Sequence, residues 1–260
     1  MTHNIAVIIP VHKYDDKVKG YLVQAINSVP EDIDIFISCP NNISGLISVD
    51  VDERVEFFDE TNETTFQNLV NSAVNQLNGY EWFSILEYDD TYTPYWFNEV
   101  DKYITHYPSN SIFLPLTDLK QTKEDGQTVF SGYGNEAPLA SAFSNELGYI
   151  DFEVLENYFD FYLTGGIFNL NDFKSVGSLK PSIKLTFWYE FLLRLTSKDK
   201  KVMVIPKIGY NHIIGREGSL SSELRETMSQ EESKWWYDLA KEEYRHVKDR
   251  NKTYKGKEED

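Results

Sequence analysis

A chain of 260 residues, 41% hydrophobic and 15% aromatic, can bury one sizeable core, which excludes global disorder. Its formal net charge of −17 repels nucleic acid and anionic membranes at long range, so neither is expected as a bulk partner. Cys39 is the only cysteine, MTHNIAVIIPVHKYDD lacks the pattern of a signal peptide, and no stretch approaches the ~18 apolar residues of a membrane span, so a soluble cytoplasmic protein is expected.

Ile5 to Val11 (IAVIIPV) is a continuous apolar run, as in a strand covered on both faces. Asp15 and Asp16 precede a helical pattern through Val18, Tyr21, Leu22, Ala25 and Ile26 that ends by Pro30. Asp34 to Cys39 predicts a second strand, closed by Pro40-Asn41-Asn42, and Arg54 to Phe58 a short third. Phe66, Leu69, Val70, Ala73, Val74 and Leu77 recur at helical spacing, with Asn78-Gly79 as the stop signal. Trp82 to Leu86 is the next strand, Trp96, Val100 and Ile104 mark a helix, and Ile112 to Leu116 a further strand. From Lys120 to Asn145 the text turns polar and glycine-dotted, which fits a hairpin or mobile loop.

Order returns at Phe161 to Phe168, in a helix near Asp172 to Ser175, a helix from Ile183 to Leu195, and strands at Val202–Ile205 and Ile208–Tyr210. From Ser221 the chain reads as one long charged helix with Leu224, Met228, Trp235, Leu239 and Val247 as its inner stripe. The Trp235-Trp236 pair is expected to pack on the domain, and the cluster Lys248, Arg250, Lys252, Lys255 and Lys257 to be a solvated tail. Strands alternate with helices over the first half, which predicts an α/β fold, a Rossmann-like, mostly parallel sheet with helices on both faces. Residues 1–219 form the expected domain, and 220–260 a C-terminal helical extension.

Ligands of such sheets bind beyond the carboxyl ends of the strands. The stretch SILEYDD releases Glu87, Asp89 and Asp90 there. Three neighbouring carboxylates repel one another unless solvent or a cation lies among them. The stretch fits an acidic turn, with Asp90 or Thr91 capping a helix that has Pro94 in its first turn, and it also fits a metal site. The strand-end position favours the second reading.

Four stretches together resemble the family 2 glycosyltransferases, which have the GT-A fold. IAVIIPVHKYDD is similar to that family's first strand and loop, and FQNLVNSAVNQLNGYEWFSILEYDD to its helix-glycine-strand passage into the Asp-x-Asp motif. LTGGIFNLNDFKSVGSL is similar to its later glycine-pair segment, and YNHIIGREGSLS to its C-terminal strand and loop. The resemblance covers about residues 4 to 222. It implies a metal-dependent transfer of a sugar from a nucleotide-diphosphate donor, a UDP-sugar above all, to a hydroxyl acceptor, with Mn2+ or Mg2+ as cofactor.

Residue by residue, the resemblance implies that Pro10, His12 and Asn68 border the donor, with Lys13 beside His12, while Asn41 or Asn42 stands where the family's base-holding acids would be. Glu87 and Asp89 stand at the motif acids, with Asp89 as the direct metal ligand and Glu87 reaching the sugar, the ribose or a metal-bound water. Asp90 supports the loop, and His212 is a candidate nitrogen ligand. Gly165, Gly166 and Trp188 fall on the acceptor side.

Two departures stand out. SCPNN lacks the acids that hold the base in the family, and the family's catalytic acid pair falls on Phe187 and Trp188 when anchored on FLLRL. Glu190 is one candidate base, although two residues along a helix is a rotation of about 200° and Arg194 stands at i+4 to pair with it. Asp172 is a second. A retaining reaction, in which the leaving phosphate takes the proton, would dispense with the acid pair, and so would an acceptor that needs no base. Acceptors include a glycan, a small molecule, a protein, or a hydroxylated base in viral DNA, because the text is similar to glycosyltransferases of large phages. For DNA, a groove with Lys198, Lys200 and Lys201 must offset the net charge. A catalytically degenerate sugar-binding module is the alternative of another class, and a nucleotidyltransferase is a distant third because its glycine- and basic-rich first loop is not seen.

Overall fold

The computed structural model describes residues 1–58, 65–123, 127–141, 143, 146–214 and 228–254, with 245–254 followed as helix backbone only. Strand β1 (Ile5–Pro10) is six buried residues in succession because it is central. It pairs in parallel with β2 (Asp34–Ser38) on one side and β4 (Trp82–Ile85) on the other, and β3 (Val55–Phe57) continues the parallel run beyond β2. The chain thus reverses its direction of travel across the sheet between β1 and β4, the kind of switch point where α/β sheets open a crevice.

The other half of the sheet comprises β6 (Asn110–Thr122), β9 (Ile167–Asn169) and β10 (Lys201–Ile214). β9 runs antiparallel between β4 and β6, whereas β10 lies parallel to β6. Short β5 (Thr91–Tyr92) and β8 (Tyr149–Ile150) pair antiparallel with β10, and β7 (Thr128–Gly134) pairs antiparallel with β6. The order is β3-β2-β1-β4-β9-β6-β10-β5.

Helices α1 (Asp16–Asn27), α2 (Asn41–Ser48) and α4 (Trp96–His106) bury Leu22, Ile47, Trp96 and Val100 on one face of the sheet. On the other face α3 (Phe66–Gln76), α5 (Phe152–Asn157), α6 (Leu170–Ser175) and α7 (Phe187–Thr196) bury Val70, Leu155, Phe173 and Phe191. Asp15 caps α1, its side chain accepting from the N–H groups of Lys17 and Val18, and Thr65 caps α3 at the N–H of Asn68. Among the described residues no helix is long and apolar enough to cross a membrane.

Several elements differ from the sequence reading. Pro40 does not close β2 into a turn; it precedes α2, where its missing N–H costs nothing. The two late strands are one strand, β10, with register shifts around Pro206, which cannot donate to the ladder. By contrast, the polar stretch after Lys120, expected as a hairpin or mobile loop, does form a hairpin, of β6 and β7. Helix α7 begins at Phe187 and not at Ile183, whose carbonyl accepts the Gln67 side-chain amide at 2.8 Å.

The C-terminal helix α8 (Gln230–Tyr254) turns a different stripe inward. Ala240 and Tyr244 are buried and Tyr237 packs beside them, whereas Trp235 and Leu239 are 56% and 43% exposed. Tyr244 reaches a buried carboxylate on α7, and that polar anchor sets the rotation of the helix. Met228 lies before the helix begins, while Leu224, the side chain of Val247, the tail lysines and the proposed boundary at 219/220 fall outside what is described.

Candidate active site

The backbone N–H of Leu86 donates to the carbonyl of Ile8 at 2.9 Å, the last bond of β4 to β1 before the chain turns. Asp90 N–H then donates to the Glu87 carbonyl at 3.0 Å, closing a four-residue turn. Such a turn sets its first and last residues side by side and its third at the corner. Glu87 and Asp90 are therefore the pair that meets. β5 carries the chain onward against β10.

The end of β10 completes the cluster. Asp90, 1% exposed, accepts the Ile213 N–H on Oδ1 at 2.9 Å and lies 2.7 Å through Oδ2 from His212 Nδ1. Glu87, Asp90 and His212 each present a ligand atom, and these atoms lie within 4.8 Å of one another. Two carboxylates and an imidazole form a donor set that fits Mn2+, and the carboxylates fit Mg2+ as well. The sequence reading put the direct ligand on Asp89, but Asp89 sits at the corner of the turn, outside this trio.

Burial pushes the Glu87 carboxyl up to about 8, reinforced by the charges of Asp90 and Asp89 and opposed by His212 and a hydrogen bond from Thr164. Burial alone would lower the His212 imidazole, but the adjoining Asp90 carboxylate, with Glu87 and Asp89 behind it, raises it to about 9. Three carboxyl groups, Glu87, Asp89 and Asp90, thus surround the His212 imidazole, and their charge favours a cation in this corner. A divalent cation would compete with a proton for that imidazole.

Tyr210 and Thr164, both buried, hold Glu87 from two sides. The Glu87 N–H donates to the Tyr210 hydroxyl at 3.1 Å, and Thr164 bonds the Glu87 carboxylate. Neither residue was found from sequence; the only signal was that Thr164 directly precedes the glycine pair. The glycines explain the approach. Gly165 has φ +78°, and a Cβ there would lie 2.3 Å from the Tyr210 ring. A Cβ on Gly166 would meet Leu114 at 2.7 Å and the Leu163 carbonyl at 2.9 Å. The carbonyl of Gly165 accepts Trp96 Nε1 at 2.9 Å, and that of Gly166 accepts Ser84 Oγ at 2.7 Å. Both glycines are walled in by protein beneath the acids, so the acceptor-side contact expected of them is corrected to a packing role.

The residues expected at the donor lie toward the same edge of the sheet. Pro10 ends β1, and Val11 N–H donates to the Ser38 carbonyl at 2.9 Å. The His12 ring lies 5.9 Å from that of Tyr88 in the acidic loop. Asn41 opens α2, with its Oδ1 enclosed and without a hydrogen-bond partner among the described residues. Asn68 lies in the first turn of α3. Trp188, in the first turn of α7, is half-buried, stacked on Phe168 at 6.0 Å and edge-on to Phe66 at 6.1 Å.

The two candidate bases are both engaged by other residues. Glu190 is 1% exposed and its carboxylate is fully engaged: Arg194 donates to both oxygens at 3.0 and 2.9 Å, Tyr244 donates at 2.5 Å and Lys180 stands at 2.7 Å. Burial pushes this carboxyl up, but the bonds from Arg194, Lys180 and Tyr244 outweigh it and hold it below the ordinary carboxylate range. Asp172 accepts Ser111 Oγ at 2.6 Å and pairs with Lys200, both at the starts of β6 and β10. Along β10, Lys200 and His212 are roughly 30–40 Å apart at the rise of an extended strand. Lys201 lies over the Tyr149 ring and Lys198 reaches the Ser175 carbonyl, so the suggested basic groove is also at the far end.

A cleft of about 230 Å3 opens on the other side of the acidic loop, with Tyr21 and Gln24 of α1, Asp89, Lys120, Thr128 and Asn211 in its walls.

No protein-family model matches the chain, and no curated protein matches it by sequence. Solved structures do match. The S. aureus TarS 1-349 complex with UDP-GlcNAc superposes with a TM-score of 0.60 at 14% identity, over 84% of this chain and 60% of that one. The mannosyltransferase PcManGT from Pyrobaculum calidifontis, in complex with GDP-Man and Mn2+, superposes with a TM-score of 0.59 at 11% identity, over 83% and 58%. A longer S. aureus TarS structure matches over 81% of this chain and 37% of its own length, with a TM-score of 0.55 at 15% identity. The chain therefore spans about 60% or less of these structures. By these matches the chain has the GT-A fold.

Proposed function

We propose that the chain is a cation-dependent glycosyltransferase that moves a sugar from a nucleoside-diphosphate donor to a hydroxyl acceptor. The observation that carries this reading is the meeting of Glu87, Asp90 and His212 at the carboxyl ends of β4 and β10, beside the switch point of a GT-A sheet. UDP-GlcNAc, and GDP-Man with Mn2+, in structures of the same fold support a nucleotide-sugar donor.

Glu87, Asp90 and His212 would hold Mn2+ or Mg2+, with Asp89 at the corner of the same turn within reach of donor or ion. Such a cation supplies positive charge to a departing diphosphate. The protein's own work is positional. Tyr210 and Thr164 fix Glu87, β10 fixes Asp90, and the loop after β1 brings His12 and Lys13 alongside. The unpartnered Oδ1 of Asn41 suits a donor group on the base, and Asn68 lines the same edge. Trp188 offers an aromatic surface for the acceptor at the head of α7. With Glu190 and Asp172 engaged elsewhere, proton removal from the acceptor falls to the leaving phosphate, as in a retaining reaction, or to a group outside the described residues. Among acceptors, glycans, small molecules and proteins fit better than DNA, because Lys198, Lys200 and Lys201 lie at the opposite end of the sheet.

The engagement of both candidate bases favours one second reading, a sugar-binding module that holds donor or sugar without turnover. The deciding experiment is hydrolysis or transfer from a panel of UDP- and GDP-sugars with Mn2+ or Mg2+, with and without chelator. Turnover that needs the cation and disappears in Asp90→Asn supports the transferase. Donor binding with no turnover in any acceptor screen supports the binding module, and activity indifferent to chelator removes the metal.

A further inference from the structure

The hairpin of β6 and β7 carries a second feature. Residues opposite one another in a ladder project to the same face. Lys120 is opposite both Phe130 and Ile213, and Asp118 is opposite both Tyr133 and Asn211. Phe130, Tyr133, Lys120 and Asn211 therefore share a face, and His212, one residue along β10, points to the other. A register shift between Leu119 and Lys120 leaves Ser131 without an opposite residue, and this bulge is what puts Phe130 and Tyr133 on one side although they are three residues apart. Their ring centroids are 5.0 Å apart, and they are 59% and 47% exposed. Thr128, next in line on the same face, is in the wall of the cleft that holds Asp89.

We propose that this cleft and the Phe130–Tyr133 pair form a subsite for a neutral saccharide, which holds a remote sugar residue of a glycan acceptor. The ligand's role as acceptor rests on the transferase reading, whereas its saccharide chemistry rests on the cleft itself. Three observations select the ligand class. Two exposed rings inclined at 59° form an apolar cradle for the C–H face of a sugar, a contact that rewards a ligand which is apolar on one side and hydroxylated on the other. The polar wall is already ordered: Lys120 Nζ donates to Asn211 Oδ1 at 3.1 Å and stands 3.6 Å from Asp118 Oδ2, and Asn211 Nδ2 donates to Thr91 Oγ1 at 3.1 Å. These groups can exchange bonds with hydroxyls at little reorganisation cost, whereas an apolar partner would strand them.

Charge makes the last selection. Asp89 in this cleft and Asp118 beside Lys120 outnumber that lysine, which favours a neutral ligand over an anionic one. The volume of about 230 Å3, below the ~300 Å3 at which pockets for drug-sized ligands begin, suits one sugar ring. Asp90 links the two faces, bonded through Oδ1 to the backbone of Ile213 and paired through Oδ2 with His212. A glycan seated on the rings thus ends beside the metal cluster.

The test is titration of the full chain, without donor, with neutral manno-, gluco- and N-acetylglucosamine oligosaccharides at millimolar concentration, followed by saturation-transfer NMR and calorimetry. At least one oligosaccharide is expected to bind, about ten-fold more weakly to the double variant Phe130→Ala/Tyr133→Ala and with restored affinity in Phe130→Trp. Both side chains are exposed, and a thermal melt confirms that the variants fold. No binding by the wild-type chain, or binding indifferent to loss of both rings, overturns the subsite. Donor hydrolysis, read in parallel, separates the two proposals. Ring-dependent glycan binding without donor turnover keeps the subsite and removes the transferase, and donor turnover with ring-independent binding does the reverse.

Discussion

Asp90 and His212, 122 positions apart in the chain, stand 2.7 Å from each other where the loop after β4 meets the end of β10. That contact closes the turn onto the sheet and gathers the charge from which the proposed chemistry follows. If the pair serves a cation, Asp90→Asn and His212→Ala each weaken Mn2+ binding by at least about 10–100-fold. Electron paramagnetic resonance of free Mn2+ reads this directly. Unchanged binding in both variants removes them as ligands.

Gly165→Ala is expected to destabilise the chain by about 1–3 kcal/mol, because its φ is positive and its new methyl would lie 2.3 Å from the Tyr210 ring. Urea unfolding measures the loss. Tyr210 must yield, and with it the bond that the Glu87 N–H makes, so donor turnover falls alongside stability. A variant as stable as wild type contradicts the packing role given to the glycine pair.

Much of the site's placement was legible in the text, and the reasons are physical. Ile5 to Val11 reads as a central strand because both faces are covered, and a central strand that stops at a polar loop marks the ligand edge. The acids after Leu86 were visible for the same reason. Which acids meet was not legible, because it depends on the turn that sets Glu87 beside Asp90 and leaves Asp89 at the corner. Tyr210 and Thr164 carried no pattern of their own, since they act through contacts made only when β9, β10 and the acidic loop converge. The rotation of α8 was hidden too. Hydrophobic spacing pointed to Trp235 and Leu239, but a buried carboxylate on α7 draws Tyr244 inward instead.

Glu190 gives a pH test of stability. Its carboxyl is held below the ordinary value, so the folded state binds its proton less readily than the unfolded chain. The stability it contributes is complete above the unfolded value of about 4.5 and is lost as pH falls through the lower folded value. Glu190→Gln is therefore expected to cost about 3 kcal/mol near neutral pH, the penalty for leaving buried Arg194 without its partner, and to flatten the acid limb of the stability curve. Cation-dependent donor hydrolysis persists in the folded variant. A collapse of turnover without loss of stability would restore Glu190 as the base.

Tyr244→Phe isolates the docking of α8. Its hydroxyl donates to Glu190 at 2.5 Å, a bond to a charged acceptor worth about 1.5–3 kcal/mol. The variant should melt earlier, with hydrogen exchange rising along the helix near Ala240 and Tyr244. An unchanged melt and exchange pattern means that α8 rests on its apolar contacts alone.

Anomalous scattering from crystals grown with Mn2+ and UDP-GlcNAc or GDP-Man tests the central claim most directly. The account predicts one peak against the carboxylates of Glu87 and Asp90 and the His212 imidazole, with diphosphate oxygens on its open side. A donor bound at that edge with no manganese beside it, or manganese lodged elsewhere on the protein, contradicts the account.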